Sequence, residues 1–282
     1  MNIGLLHSRI RAEEKMLLEE FKRREIRCEE VDVRKIVFLS GHISWSRFDL
    51  IVDRCISEAQ AEATIAILES MGVPCVNRLA VRQLCGNKLL TSLALERAGV
   101  RNIPFRVALS VEAALQAIQE VGYPAVLKPV VGSWGRLLAR VNDVHAAEAI
   151  LEHKSQLGSP MHQVFYIQPF IEKGGSDIRS FVIGDETIAA IRRRSDHWIT
   201  NTARGASAEN CKITPELDAI SRDAATAVGG GAVAIDVVET PDGRLLINEV
   251  NATMEFRNSI DTTGVNIPAR LVDYFVGLGA AS

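Results

Sequence analysis

Two acidic positions in the last third of the chain carry the clearest chemical signal: Asp236, and Glu249 within Asn248-Glu249-Val250-Asn251. Each lies near the end of an apolar, strand-like run, at residues 233–237 and 245–250. Strand periodicity sets Glu249 and Asn251 on one face and turns Val250 to the other. Two carboxylates and an amide oxygen are hard ligands suited to Mg²⁺, and so few protein ligands leave coordination positions for phosphate oxygens and water. An acidic strand pair at a solvent edge would look the same in isolation.

Two lysines change the balance. Lys128 interrupts the apolar strand Ala125-Val126-Leu127-Lys128-Pro129, and a buried ammonium needs an anion beside it. Directly after it, Val131-Gly132-Ser133-Trp134-Gly135-Arg136 places two glycines where a tight turn can bring backbone close to phosphate, with Arg136 as a further cation. The spacing is neither the Walker A nor the Rossmann pattern. Lys88 opens a helix after Gly86-Asn87; a cation is unfavourable at a helix N-terminus unless a phosphate sits there. Tyr166-Ile167-Gln168-Pro169-Phe170-Ile171-Glu172 reads as an apolar strand ending in a kink. Its free backbone groups could read an adenine edge and Glu172 a ribose. Asp177 and Arg179 alternate on the strand that follows. Alone, each of these has a plain structural reading: surface lysine, hairpin tip or core strand.

The elements that must position them alternate in an α/β manner at first. Strands are expected at residues 3–6, 28–33 and 49–53, with an amphipathic helix over 11–24 and a Ser57-capped helix over 57–71 stopped by Gly72. This predicts a parallel α/β domain over residues 1–85. A small central α+β domain follows over 86–162: helix 88–98, strand 105–109, a Ser110-capped helix, strands 125–129 and 137–141, and helix 143–157. The third domain, 163–282, has strands at 164–168, 177–183 and 187–194, a helix over 214–228, and strands 232–239 and 244–249 joined at Pro241-Asp242-Gly243. The polar stretch 195–212 reads as a long loop, of the kind that is usually functional or disordered.

Bulk composition excludes several classes. The 282 residues carry a formal charge of −3, so no global basicity points to nucleic acid. No apolar run approaches the roughly 20 residues of a membrane span, and the N-terminus lacks the pattern of a signal peptide. Five cysteines without a C-x-x-C pair read as reduced thiols of a cytoplasmic protein. A homo-oligomer is compatible with this size, but nothing fixes a subunit number.

Taken in order, the lysine, strand lysine, glycine turn, linker ending in Glu, D-x-R and D…N-E-x-N resemble the ATP-grasp superfamily along the full length, in the branch of the ribosomal S6 modification-type ligases. A narrower resemblance, to the LysW–2-aminoadipate ligases (the LysX family) of carrier-protein lysine biosynthesis, is carried by five stretches. They are Gly132-Ser133-Trp134-Gly135-Arg136-Leu137, His197-Trp198-Ile199-Thr200-Asn201-Thr202-Ala203-Arg204-Gly205, Asn248 to Phe256, Ser8-Arg9-Ile10-Arg11 and Thr262-Thr263-Gly264-Val265. The resemblance implies an ATP-grasp fold, with the central domain as lid. It implies that Lys88, Lys128, Gly132, Ser133, Trp134, Gly135 and Arg136 meet the phosphates of ATP, and that Gln168, Pro169, Phe170, Ile171 and Glu172 hold adenine and ribose. Asp177, Arg179 and Asn201 would support the nucleotide. Asp236, Glu249 and Asn251 would bind Mg²⁺, with two ions expected. Arg193, Asn201, Thr202 and Ala203 would face the acyl phosphate and substrate, with Lys128 and Arg193 catalytic. Glu255, Phe256, Arg257 and Asn258 would lie near the amino-acid pocket.

The implied reaction joins 2-aminoadipate, through its α-amino group, to the C-terminal glutamate of LysW, a small acidic carrier protein, through an acyl phosphate. Phosphoryl transfer asks for positioning and charge neutralisation rather than covalent help, and the glycine turn and the 195–212 stretch are candidate lids against water. Alternation along Arg192-Arg193-Arg194 points Arg193 into the site and leaves Arg192 and Arg194 for the carrier. The same ligation with glutamate is a rival, since one methylene discriminates by only about 1–3 kcal/mol. Further rivals are a glutamate ligase acting on a ribosomal protein or cofactor, and an ATP-binding module without turnover.

Overall fold

A computed structural model describes residues 1–39, 44–132, 134–157, 159–201 and 205–281. The N-terminal sheet is wholly parallel, in the order β2-β1-β3-β4, from β1 (Asn2–His7), β2 (Arg27–Asp32), β3 (Leu50–Asp53) and β4 (Cys75–Val76). Helices α1 (Ala12–Arg23) and α2 (Glu58–Ser70) connect them, and Ser57 caps α2 through the Gln60 amide as expected. Strand β4, two residues long, gave no pattern to find. Helix α3 (Leu79–Gly86) was also not expected, and its N-cap, Arg78, makes no side-chain cap bond. Helix α4 (Lys88–Arg97) follows at once, with Asn87 accepting from the Leu89 and Leu90 amides.

The central sheet is antiparallel in the order β5-β8-β6-β7: β5 (Arg106–Ala108), β6 (Ala125–Lys128), β7 (Ala139–Val141) and β8 (Phe165–Pro169). Helices α5 (Val111–Val121) and α6 (Val144–Leu157) cover it. Strand β8 thus pairs with central strands, although it falls beyond the boundary drawn at 162/163. The helix pair α3–α4 packs on the C-terminal unit, where Val81, Cys85 and Leu95 join its core.

The C-terminal sheet, also antiparallel, runs β11-β10-β9-β12-β13: β9 (Ser176–Ile183), β10 (Glu186–Arg194), β11 (Ser207–Asn210), β12 (Ala232–Glu239) and β13 (Leu245–Asn251). Strand β11 lies inside the stretch read as loop. It is four residues on a sheet edge, three of them polar, so it has no apolar alternation to announce it. Helix α7 (Pro215–Ala227) is capped by Thr214. Helices α8 (Arg257–Thr263) and α9 (Ile267–Ala281) complete the chain and extend the expected element list. Phe275 of α9 stacks on Phe21 of α1, within a core that the first and last units share. No helix among the described residues is long and apolar enough to cross a membrane.

Candidate active site

Strand pairing brings the expected metal ligands together. Asp236 stands opposite Glu249 in the β12–β13 register, and Val250 is fully buried in the core, as alternation required. Asp236 is buried and accepts from Arg179 at 2.7 and 2.9 Å and from Arg193 at 3.2 Å. Burial alone would raise its pKa, but the two guanidinium groups outweigh that and hold the carboxyl well below the usual range. Glu249 lies 3.2 Å from the Lys88 ammonium. The Asn251 amide nitrogen donates to the Ala234 carbonyl at 3.4 Å, which leaves its oxygen as the ligating end. Among the described residues no group of three His, Cys, Asp or Glu side chains gathers into a metal cluster. The triad has only two carboxylates, so it suits an ion that takes its remaining oxygens from a nucleotide and water. Asp236 Oδ2 accepts only the Arg179 bond among these contacts and keeps coordinating capacity. The donor set fits Mg²⁺.

Lys128 is buried on β6, and its ammonium donates to the Asn248 amide oxygen at 2.7 Å. Desolvation pushes its pKa down to about 8, although Glu249 pulls the other way. A buried cation whose direct partner is a neutral amide is short of negative charge, which an anionic ligand supplies. Lys88 donates to the Gly132 carbonyl at 2.6 Å, so the helix start and the glycine turn already touch. In that turn Trp134, Gly135 and Leu137 all have positive φ near +60°, and the Trp134 side chain donates to Glu255 at 3.2 Å. The Arg136 guanidinium lies over the Trp134 ring, 4.9 Å from its centroid. Lys88, Lys128 and the turn residues Gly132, Trp134, Gly135 and Arg136 border a cleft of about 280 Å³ together with Arg11, Glu58, Arg82, Asp236, Glu249 and Asn251.

A second cavity, about 120 Å³, opens beside Lys128 and is lined by Gln168, Pro169, Phe170, Ile171, Trp198 and Asn201. Gln168 is 2% exposed. Its amide nitrogen donates to the Ile103 carbonyl and the Tyr166 hydroxyl, while its oxygen has no partner. Glu172 departs from its expected role: it is exposed, accepts from the Gly174 amide and does not line the cavity. Lys173 lines it instead, bonded to Asp177 at 3.3 Å and Thr200 at 2.7 Å. Asp177 also accepts from Arg193 at 2.7 Å. Arg193 is buried and bridges Asp177 and Asp236, on the face that alternation gave it. Arg192 and Arg194 are paired within the chain, to Glu239 and Glu209.

A third cavity, about 300 Å³, adjoins the first through Arg11, Arg179 and Glu255, and adds Arg193, Arg257 and Asn258. Of the four residues expected near an amino-acid pocket, Phe256 does not reach it. Its ring is fully buried in the shared core beneath the Arg54 guanidinium, because an aromatic gains more from that core than from a charged wall. Ser133, Thr202 and Ala203 lie outside the described residues. Sequence reasoning gave no part to Lys173, Glu58, Arg82 or Asn248, nor to Arg11 as a wall of the site. Lys173 had a signal, a cation between the linker and a double glycine; Arg82 had none, since its helix was not expected.

The chain matches two family descriptions end to end: a LysX preATP-grasp domain over residues 3–84 and a RimK-like ATP-grasp domain over residues 85–275. It is 33% identical over 276 residues to an alpha-aminoadipate–LysW ligase of Sulfurisphaera tokodaii, covering 96% of this chain and 97% of that one. It is 31% identical over 276 residues to a glutamate–LysW ligase of the same organism, covering 97% and 98%. Among solved structures, a RimK domain ATP-grasp protein from Sphaerobacter thermophilus superposes with a TM-score of 0.82 at 30% identity, over 98% of this chain and 100% of that one.

Proposed function

The chain belongs to the RimK-like ATP-grasp family and is an ATP-grasp ligase, and on that premise we propose that it joins the α-amino group of 2-aminoadipate to the C-terminal glutamate of the carrier LysW. One observation carries the choice of a dicarboxylic amino acid. The third cavity sets Arg11, Arg179, Arg193 and Arg257 around a space that shares a wall with the triad cleft. Guanidinium groups in a fork geometry select carboxylates. The near-equal likeness to a glutamate–LysW ligase supports glutamate as a second amine.

In this reading adenine enters the cavity beside Gln168, and the phosphates meet Lys88 and Lys128, which exchange Gly132 and Asn248 for phosphate oxygens. Mg²⁺, which Asp236, Glu249 and Asn251 would hold, supplies charge neutralisation at the phosphates. The carrier carboxylate takes the γ-phosphoryl group and becomes an acyl phosphate. The amine attacks its carbonyl carbon, and phosphate leaves. Arg193, held between Asp177 and Asp236, offers fixed positive charge to the oxygens that gain charge. Trp134 closes the glycine turn over this space and keeps water from the acyl phosphate. The test is purified protein with Mg·ATP, an acidic carrier ending in glutamate, and each amino acid. ADP release should match a carrier mass gain of one amino acid less water. ADP release without that gain, or equal turnover on a carrier lacking the terminal glutamate, would sink the reading.

A further inference from the structure

The four residues that follow Asn251 are each held by a side chain from the first domain. Asn77 donates to the Ala252 carbonyl at 2.6 Å, Arg82 donates to the Thr253 hydroxyl, Arg54 donates to the Met254 carbonyl at 2.9 Å, and Arg11 reaches Glu255 at 3.2 Å. Asn77 also pairs with both backbone groups of Ala232, at 2.8 Å each, at the start of the strand that carries Asp236. It approaches so closely that a Cβ on Gly231 would stand 2.0 Å from its oxygen. One side chain therefore fixes the start of β12 against the end of β13.

Arg82 is the most constrained of the set. It is 3% exposed, and besides Thr253 it binds Asp53 at 2.9 Å, Glu58 at 2.7 Å and the Cys55 carbonyl at 3.2 Å. Its helix, α3, leads into the helix that presents Lys88. A guanidinium with its donors so committed cannot move without breaking several charge-assisted bonds.

We propose that Arg82 is a positioning residue for the ligation: through Thr253 it fixes the 252–255 strap and so the placement of Asn251. The first domain then takes part in metal binding through a residue that is not itself a metal ligand. The proposal rests on the reading of Asp236, Glu249 and Asn251 as metal ligands. Its consequence is a changed Mg²⁺ requirement, not a changed fold.

The experiment measures ADP binding by calorimetry at a series of Mg²⁺ concentrations, which needs no knowledge of the amine. Thr253→Val keeps the shape and removes the acceptor. It should raise the Mg²⁺ needed for half-saturation by about tenfold, the size of one charge-assisted hydrogen bond. Metal-free ADP binding should stay at the wild-type value, and the urea midpoint should fall by no more than one lost hydrogen bond allows. Arg82→Lys, which retains charge beside Asp53 and Glu58, should give a shift of the same order. The double variant should be no worse than the worse single one. Additive losses, or an unshifted Mg²⁺ requirement in Thr253→Val, would overturn the proposal. Should wild-type ADP binding ignore Mg²⁺, the triad reading falls and this proposal falls with it.

Discussion

The C-terminal sheet meets its two neighbours by different physics. With the first unit it shares one apolar core, in which Ile3, Leu5, Leu17 and Phe21 pack with Phe181, Ile191, Phe256 and Phe275. The central sheet keeps its own cluster, with Ala114, Ile118, Leu127, Leu151 and Phe165 packed among themselves. Its links to the rest include several polar contacts: Lys128 to Asn248, Trp134 to Glu255, Tyr166 to Ser92 and Gln168 to the Ile103 carbonyl. Burial of a shared core is lost steeply when two bodies part, whereas a hydrogen bond exchanged with water costs a net of about 1 kcal/mol. The first and last units therefore make a base, and the central unit is the part less firmly joined to it.

The largest effect should fall on the apolar join. Phe275→Ala removes a buried ring stacked on Phe21 and should cost about 3–5 kcal/mol of stability by urea denaturation. First and last units should still unfold together; separate transitions would break the contrast drawn above. Next comes Lys128, on the polar join. Lys128→Met should lower kcat by about a hundredfold or more while leaving the chain as stable or more so, because a desolvated cation is removed. A variant that loses stability and activity in parallel would mean that the lysine is merely structural.

The pH dependence follows from the same group. Burial lowers its pKa to about 8, so below that pH Lys128 is charged both folded and unfolded, and the full desolvation penalty is present. As pH rises past about 8 the folded chain sheds the proton first, and the penalty fades together with the charge that phosphate needs. ATP affinity measured by calorimetry should weaken above about pH 8, and Lys128→Met should show a flatter profile. A smaller effect is expected at Gln168, whose oxygen has no partner and, with adenine bound as proposed, would accept from the donor at the adenine 6-position, which the carbonyl of guanine does not offer. Gln168→Leu should cut the preference for ATP over GTP by about tenfold; an unchanged ratio would place base selection elsewhere. Smallest, Trp134→Phe removes one bond to Glu255 and should raise ADP release without amide formation about fivefold, within the net worth of one hydrogen bond.

What could be read in advance was set by local signals. That Asp236, Glu249 and Asn251 would come together was legible because strand alternation is rigid, and Val250 landed in the core as it had to. Lys128 stood out as a charge in an apolar strand, and Arg193 as the middle of three arginines on alternating faces. The strap was not legible. Asn77, Arg54 and Arg82 lie 170 or more residues from the groups they hold, and nothing local marks a side chain whose partner arrives from another sheet. Phe256 misled because it adjoins true cavity residues, and adjacency in sequence does not say which way a ring turns. Lys173 rather than Glu172 lines the second cavity for the same reason: the chain kinks after β8, and alternation stops being a guide there.

The cleft around Lys88 and the triad also has a charge balance of its own. Among the described residues, six cations (Arg11, Arg82, Lys88, Lys128, Arg136 and Arg179) face four carboxylates (Glu58, Asp236, Glu249 and Glu255). The surplus equals in size, and opposes in sign, the net charge of ATP carrying a single magnesium ion. A cleft so charged attracts anions, and with the metal-bound nucleotide in place, as proposed, it would come close to electroneutral.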